Sequence, residues 1–117
     1  MATILIADDS WVARLGMNKL LVSLGHTVLE ATDGKRALEV AEQHPVEILF
    51  LDLLMPELDG FGVLEALRGK LVRPKVYVLS ADIQETTRQR CVDLGVDGFL
   101  NKPPLRSQIE EVLKALA

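Results

Sequence analysis

Cysteine is almost missing: Cys91 is the only one in 117 residues. That excludes a disulfide framework and any cysteine-cluster zinc site. Basic charge is not in excess either. Lys and Arg number 13 against 17 Asp and Glu, for a net charge of −4. A nucleic-acid-binding surface should be basic, so none is expected. No apolar run approaches the roughly 18 residues that a membrane span requires. Thr3-Ile4-Leu5-Ile6-Ala7 is too short for a signal peptide and runs straight into Asp8-Asp9. Repeats, low-complexity tracts and linkers are also missing. What remains is 49% hydrophobic and 26% charged, which suits a globular chain and excludes disorder. At about 100–200 residues per domain, residues 1–117 are expected to form one soluble, cytoplasmic domain. Its size allows a core without disulfides or structural metal.

Short apolar runs alternate with helix-period segments. The runs are residues 4–7, 27–31, 48–51, 76–79 and 98–100. Their length and aliphatic character suit strands buried on both faces of a parallel sheet. Between them, Ala13, Met17, Leu20, Leu21 and Leu24 share a helix face closed by Gly25. Residues 34–44 form a second helix stopped by Pro45. Asp59 caps a third, running to about Arg68. Ile83, Thr87, Cys91 and Leu94 carry a fourth, and Leu105, Ile109, Val112, Leu113 and Leu116 a fifth. Five β-then-α units predict a three-layer α/β sandwich, with right-handed crossovers placing helices on both faces.

Ligand sites in such sheets lie beyond the carboxyl ends of the strands. The first run ends in Asp8-Asp9, the third in Asp52 and the fourth in Ser80, and the fifth is followed by Asn101-Lys102. Converging carboxylates repel one another, and a hard divalent cation relieves that repulsion. Mg²⁺ is held by few protein ligands and retained waters. A lysine beside it offers a point charge to a phosphate oxygen. A carboxylate in that company is a plausible phosphoryl acceptor. Each residue also has a plainer reading. Asp8-Asp9-Ser10 can be an N-cap cluster, Ser80 a turn former, Lys102 a loop lysine and Phe99 core. Cys91 reads as packing, and His26 and His44 as solvated surface.

The ordered set Asp8-Asp9, the run from Asp52 through Met55-Pro56 to Asp59-Gly60, Ser80-Ala81 and Lys102-Pro103 resembles the receiver domain of two-component response regulators. The resemblance covers the whole chain. It implies a flavodoxin-like fold with five parallel strands in the order 2-1-3-4-5 and five helices. It implies Asp52 as phosphoacceptor, with Mg²⁺ held by Asp9, Asp52 and the backbone carbonyl of Leu54, and by Asp8 mainly through water. Lys102 would contact the acceptor and then the phosphoryl group. Ser80 would donate its hydroxyl to a phosphoryl oxygen, and Phe99 would be the aromatic switch. The implied partners are a histidine kinase or histidine phosphotransfer protein as donor and an effector protein downstream. No nucleic acid or membrane is implied, and the resemblance makes the chain a signalling switch and not an enzyme in the ordinary sense. Chemotaxis is the favoured setting over twitching motility and phosphorelays.

Some positions depart from the family pattern. Leu54, two residues after the acceptor, is apolar where many members carry a polar or sulfur-bearing side chain. Asp82 lies two residues after Ser80, and with Leu54 it frames the path of hydrolytic water. Gly98 replaces an acidic residue common in dimerising DNA-binding members, so a monomer is expected. No output domain follows the fifth helix here: if the chain is full length, a protein contact is the expected output, and if it is a fragment, the missing part decides the output. Trp11, Leu15, Asn18 and Val22 form a second stripe on the first helix. It is read either as partly buried against the last helix or as a docking face for a helical phosphodonor. Two rivals stand against a switch. A haloacid-type phosphatase would need its two acids two residues apart after the first strand, and a cap domain. A pseudo-receiver adaptor would lack some of the rim residues.

Overall fold

The structure, a computed structural model, describes residues 1–81 and 84–116. Strand β1 is Thr3–Ala7, β2 Thr27–Ala31, β3 Ile48–Asp52, β4 Lys75–Ser80 and β5 Gly98–Asn101. They form one parallel sheet in the order β2-β1-β3-β4-β5. Helices α1 (Trp11–Ser23), α2 (Gly34–Gln43), α3 (Gly60–Arg68), α4 (Glu85–Asp93) and α5 (Arg106–Lys114) follow the strands in turn.

Alternation of side chains along each strand sends residues to two cores. Ile4 and Ile6 of β1, with Phe50 of β3, pack under Met17 and Leu21 of α1 and Ile109 and Val112 of α5. Leu5, Leu49 and Leu51 point the other way, to Val40 of α2, Val63 and Leu67 of α3, and Cys91 of α4. All of β3 is buried, because it sits at the centre of the sheet with helices over both faces. The expected three-layer fold and strand order are therefore present.

Local chemistry explains the ends. Ser10, Asp33 and Asp59 cap α1, α2 and α3 through side-chain oxygens that accept from Ala13, Arg36 and Gly62, which satisfies donors that a helix start leaves free. Gly25 and Gly95 take φ of +89° after α1 and α4, a conformation cheap only for glycine. Gly98 pairs with Tyr77 of β4, and a Cβ there would lie 2.9 Å from the Tyr77 ring. An acidic side chain at Gly98 would require the Tyr77 ring to shift.

Several expectations need correction. Leu105 does not belong to the buried stripe of α5; it is the N-cap residue and is exposed. Ile83, placed on the fourth helix, and Asp82 lie outside the described residues. His26 is half-buried, and its Nδ1 accepts a hydrogen bond of 3.0 Å from the amide of Ala2, so it fastens the start of β1. The second stripe of α1 is not buried against α5: Trp11 is 67% exposed, and Leu15 and Val22 are exposed too. Asn18 leaves that stripe to bond Glu30 of β2.

Candidate functional site

Parallel strands end on one side of the sheet, and there the acids meet. Carboxylate oxygens of Asp8, Asp9 and Asp52 lie within 4.8 Å of one another. Asp8 is fully buried and Asp52 nearly so, whereas Asp9 is exposed. The Asp8 amide donates to Ala31 at 3.1 Å, and Asp8 Oδ1 accepts from the Ser10 amide at 2.9 Å. The N-cap reading of this turn therefore holds for Ser10, while Asp9 and the Oδ2 of Asp8, just before it, stay turned to the cluster.

Lys102, just past β5, brings its Nζ to 2.9 Å from Asp8 Oδ2 and 3.0 Å from Asp52 Oδ2. The contact to Asp52 is a hydrogen bond. The one to Asp8 is close but poorly aligned, so Oδ2 remains a buried oxygen with no hydrogen-bond donor. Burial pushes the Asp52 carboxyl above its ordinary range; the Lys102 hydrogen bond opposes this, and the nearby Asp8 charge adds to it. Burial works to lower Lys102, but Asp8 and Asp52 outweigh it and hold the ammonium above its ordinary value. One cation thus faces three carboxyl groups, and negative charge is left over. A buried Asp8 Oδ2 that meets only the Lys102 ammonium, beside two further carboxylate oxygens, suits a hard cation such as Mg²⁺.

The loop after β3 shapes the opening. Leu54 donates its amide to Asp52 Oδ1 at 3.4 Å while its side chain is 80% exposed. Glu57 takes a left-handed φ of 67°, with the Leu58 amide donating to Pro56 at 2.7 Å across it. This is a strained γ-type turn next to the site. Gly60 closes the loop: a Cβ there would sit 2.7 Å from the Asp52 carbonyl oxygen. Only glycine lets α3 start against the end of β3, which explains the Asp59-Gly60 pair. Asp52, Leu54, Ser80, Thr87 and Lys102 line one cleft of about 490 Å³.

Phe99 is set apart from that cleft. It is half-buried at the edge of the α2–α4 core, with the Arg88 guanidinium over its ring at 4.5 Å from the centroid. Cys91 is free and fully buried, and burial pushes its thiol up, as plain packing requires. Sequence reasoning missed Arg14, whose Nη1 donates to the Asp8 carbonyl at 2.7 Å. Its partner Glu30 belongs to β2, and no local pattern links the two. Among the described residues no helix is long and apolar enough to cross a membrane.

An α/β sandwich with an acid cluster and a lysine at its strand ends defines a class, and the comparisons agree with it. The response regulator receiver domain family matches residues 4–114, and the chain belongs to this family. It is 38% identical over 113 residues to the response regulator RR06 of Streptococcus pneumoniae, covering 97% of this chain and 52% of that protein. It is 35% identical over 103 residues to the transcriptional regulatory protein KdpE of Mycobacterium tuberculosis, covering 88% and 45%. The chain thus spans about half the length of these relatives. Among solved structures it resembles the chemotaxis protein CheY4 of Vibrio cholerae, with TM-score 0.89, 26% identity and coverage of 100% and 99%. It also resembles the receiver domain of a sensor histidine kinase from Pseudomonas aeruginosa, solved with magnesium in its active-site cleft. That match has TM-score 0.88, 27% identity and coverage of 97% and 95%.

Proposed function

We propose that Asp52 accepts a phosphoryl group from a histidine kinase or histidine phosphotransfer protein, and that residues 1–117 act as one switching unit. The observation that carries this reading is the placement of Lys102 between Asp8 and Asp52 at the strand ends. Asp8, Asp9, Asp52 and the backbone carbonyl of Leu54 would hold Mg²⁺. When bound, the ion neutralises charge on the phosphoryl oxygens, as this transfer requires. The chain's own part is positional. An Asp52 carboxylate oxygen forms the new P–O bond as the donor's P–N bond breaks, and the departing imidazole takes up a proton. Lys102 leaves its contact with Asp52 Oδ2 to meet a phosphoryl oxygen, and the Ser80 hydroxyl donates to another.

The phosphoryl dianion replaces the carboxylate's own charge, so about one negative charge is added; it draws Ser80 inward, and Phe99 fills the space it leaves. The face formed by α4, β5 and α5 then changes, and an effector protein binds whichever of the two states it prefers. The chain is read as a cytoplasmic, monomeric switch and not as an enzyme that turns over small molecules. Chemotaxis is its favoured setting, in keeping with the likeness to CheY4. Incubation with acetyl phosphate and Mg²⁺ tests the reading by intact mass. One added phosphoryl group is expected. No added mass, with the fold intact, contradicts it.

A further inference from the structure

We propose that Arg14 is a positioning residue for the acid pair Asp8-Asp9, held in place by Glu30; this rests on the reading that the pair binds Mg²⁺. Arg14 lies in the first turns of α1. From Nη1 it donates to the main-chain carbonyl of Asp8 at 2.7 Å, and from Nε to Glu30 Oε1 at 3.0 Å. Asn18 donates from Nδ2 to the other oxygen, Glu30 Oε2, at 3.1 Å. Both oxygens of Glu30 are therefore engaged by α1. The Arg14 side chain is 12% exposed and the Glu30 side chain 40%; what sets the pair apart from a loose surface ion pair is that Arg14 also bonds a main-chain carbonyl and Glu30 also accepts from Asn18.

The consequence for the acid pair comes from peptide geometry. The Asp8 carbonyl oxygen lies in the rigid plane that ends on the Cα of Asp9. A guanidinium fixed on that oxygen fixes the direction in which Asp9 leaves the backbone. Asp8 is already held through its amide by Ala31 and through Oδ1 by the Ser10 amide. The Arg14 bond completes the set, leaving Oδ2 as the oxygen turned to the cluster. Asp9 is exposed, and its aim depends on the backbone that Arg14 pins. The planar fork is needed for this, because its Nε and Nη1 meet two acceptors at once.

A clamp that merely ties α1 to β2 predicts lower stability and unchanged metal affinity. Charge alone predicts the opposite of positioning: a cation near a divalent ion repels it, so removing Arg14 should tighten binding. The sign of the effect therefore separates the accounts. Mg²⁺ alone is titrated into the full chain by calorimetry at constant ionic strength. The emission of Trp11, the single tryptophan, serves as a second readout, and the melting temperature as a check of folding.

Arg14→Lys keeps the charge and loses the fork, and its Kd for Mg²⁺ should rise about tenfold, as for other groups that orient metal ligands. Arg73→Met is the control. Arg73 bonds Gly95 and Asp97 at the far end of the sheet, and its loss should lower the melting temperature without changing the Kd. If the wild type binds no Mg²⁺, the reading of the acid pair falls and the clamp with it. If the wild type binds, and Arg14→Lys binds equally well or Arg14→Met binds more tightly, the clamp alone is overturned. Should Arg14→Lys unfold at the assay temperature, Glu30→Gln, which keeps one acceptor oxygen and loses the other, must still raise the Kd. An unchanged value there overturns the clamp.

Discussion

Arg88 of α4 covers one face of the Phe99 ring on β5, with its guanidinium carbon 4.5 Å from the ring centroid. A second arginine of the same helix, Arg90, lies 4.0 Å from the ring centroid of Phe61 in α3. Only Cys91 of α4 is buried, so these two cation–aromatic contacts are a sizeable part of what holds the helix. At partly exposed sites each is worth about 0.5–1 kcal/mol. The switch proposed for Phe99 must break or rebuild the first of them. With beryllofluoride and Mg²⁺ in place of the phosphoryl group, NMR shifts should reach Phe99 and residues 84–94. Arg88→Gln should move the Phe99 ring signals part of the way to that state with no phosphoryl mimic present. Shifts confined to Asp8, Asp9, Asp52 and Lys102 would refute the mechanism.

Stability should depend on pH through Asp52. Burial raises its pKa in the fold, so the folded protein holds the proton more tightly than the unfolded chain does. The stabilising contribution is fully present below the ordinary aspartate range and is lost as pH rises through the raised value. At neutral pH the buried charge therefore costs stability. In EDTA at pH 7, Asp52→Asn should melt higher than the wild type. The gain should vanish in acid. A lower melting point than wild type at pH 7 contradicts the burial argument.

The exposed side chain of Leu54 bears on the lifetime of the phosphorylated form. Water must approach the phosphorus in line with the bond it breaks, and an apolar Leu54 gives it no hydrogen bond and covers part of the path. Slow self-dephosphorylation is expected. Leu54→Asn should speed decay with little effect on stability, because a substitution at an exposed position usually stays within about 0.5 kcal/mol. Decay measured after removing the donor decides this, and equal rates remove the argument.

Val12 lines a groove of about 520 Å³ between α1 and the loop after β5, together with Ala13, Met17, Pro103 and Pro104, and Trp11, the residue before it, is exposed at the start of α1. If the donor's helical bundle docks there, truncating Trp11 should cost about 2 kcal/mol or more of docking energy. Trp11→Ala should then slow transfer from a protein donor yet leave labelling by acetyl phosphate intact. Equal losses with both donors would show that Trp11 supports the fold.

What the sequence disclosed and what it hid follow from the range of the interactions. The five strands, the burial of β1 and β3, and the convergence of Asp8, Asp9, Asp52, Ser80 and Lys102 were legible, since period and strand-end position are local signals. The expected two-sided burial fails for the edge strands β2 and β5, which are partly exposed. The strand order came from resemblance. The exposure of Trp11 was not decidable, because a second apolar stripe on α1 looks the same whether α5 covers it or not. The clamp from Arg14 to Glu30 was invisible for a similar reason: the packing of α1 against β2 brings the two together, and neither residue stands out alone. Leu105 was misplaced because an apolar N-cap continues the helix period without entering the core.

The central claim is that Asp52 is the phosphoacceptor, and it is tested most directly by intact mass after incubation with acetyl phosphate and Mg²⁺. Wild type, Asp9→Ala and Asp52→Asn are compared side by side. The wild type should gain one phosphoryl group, and Asp9→Ala should gain the same group only at higher Mg²⁺. Asp52→Asn should gain none while giving the same circular dichroism spectrum as the wild type. A folded Asp52→Asn protein labelled as fully as the wild type would contradict the account, whatever the other variants do.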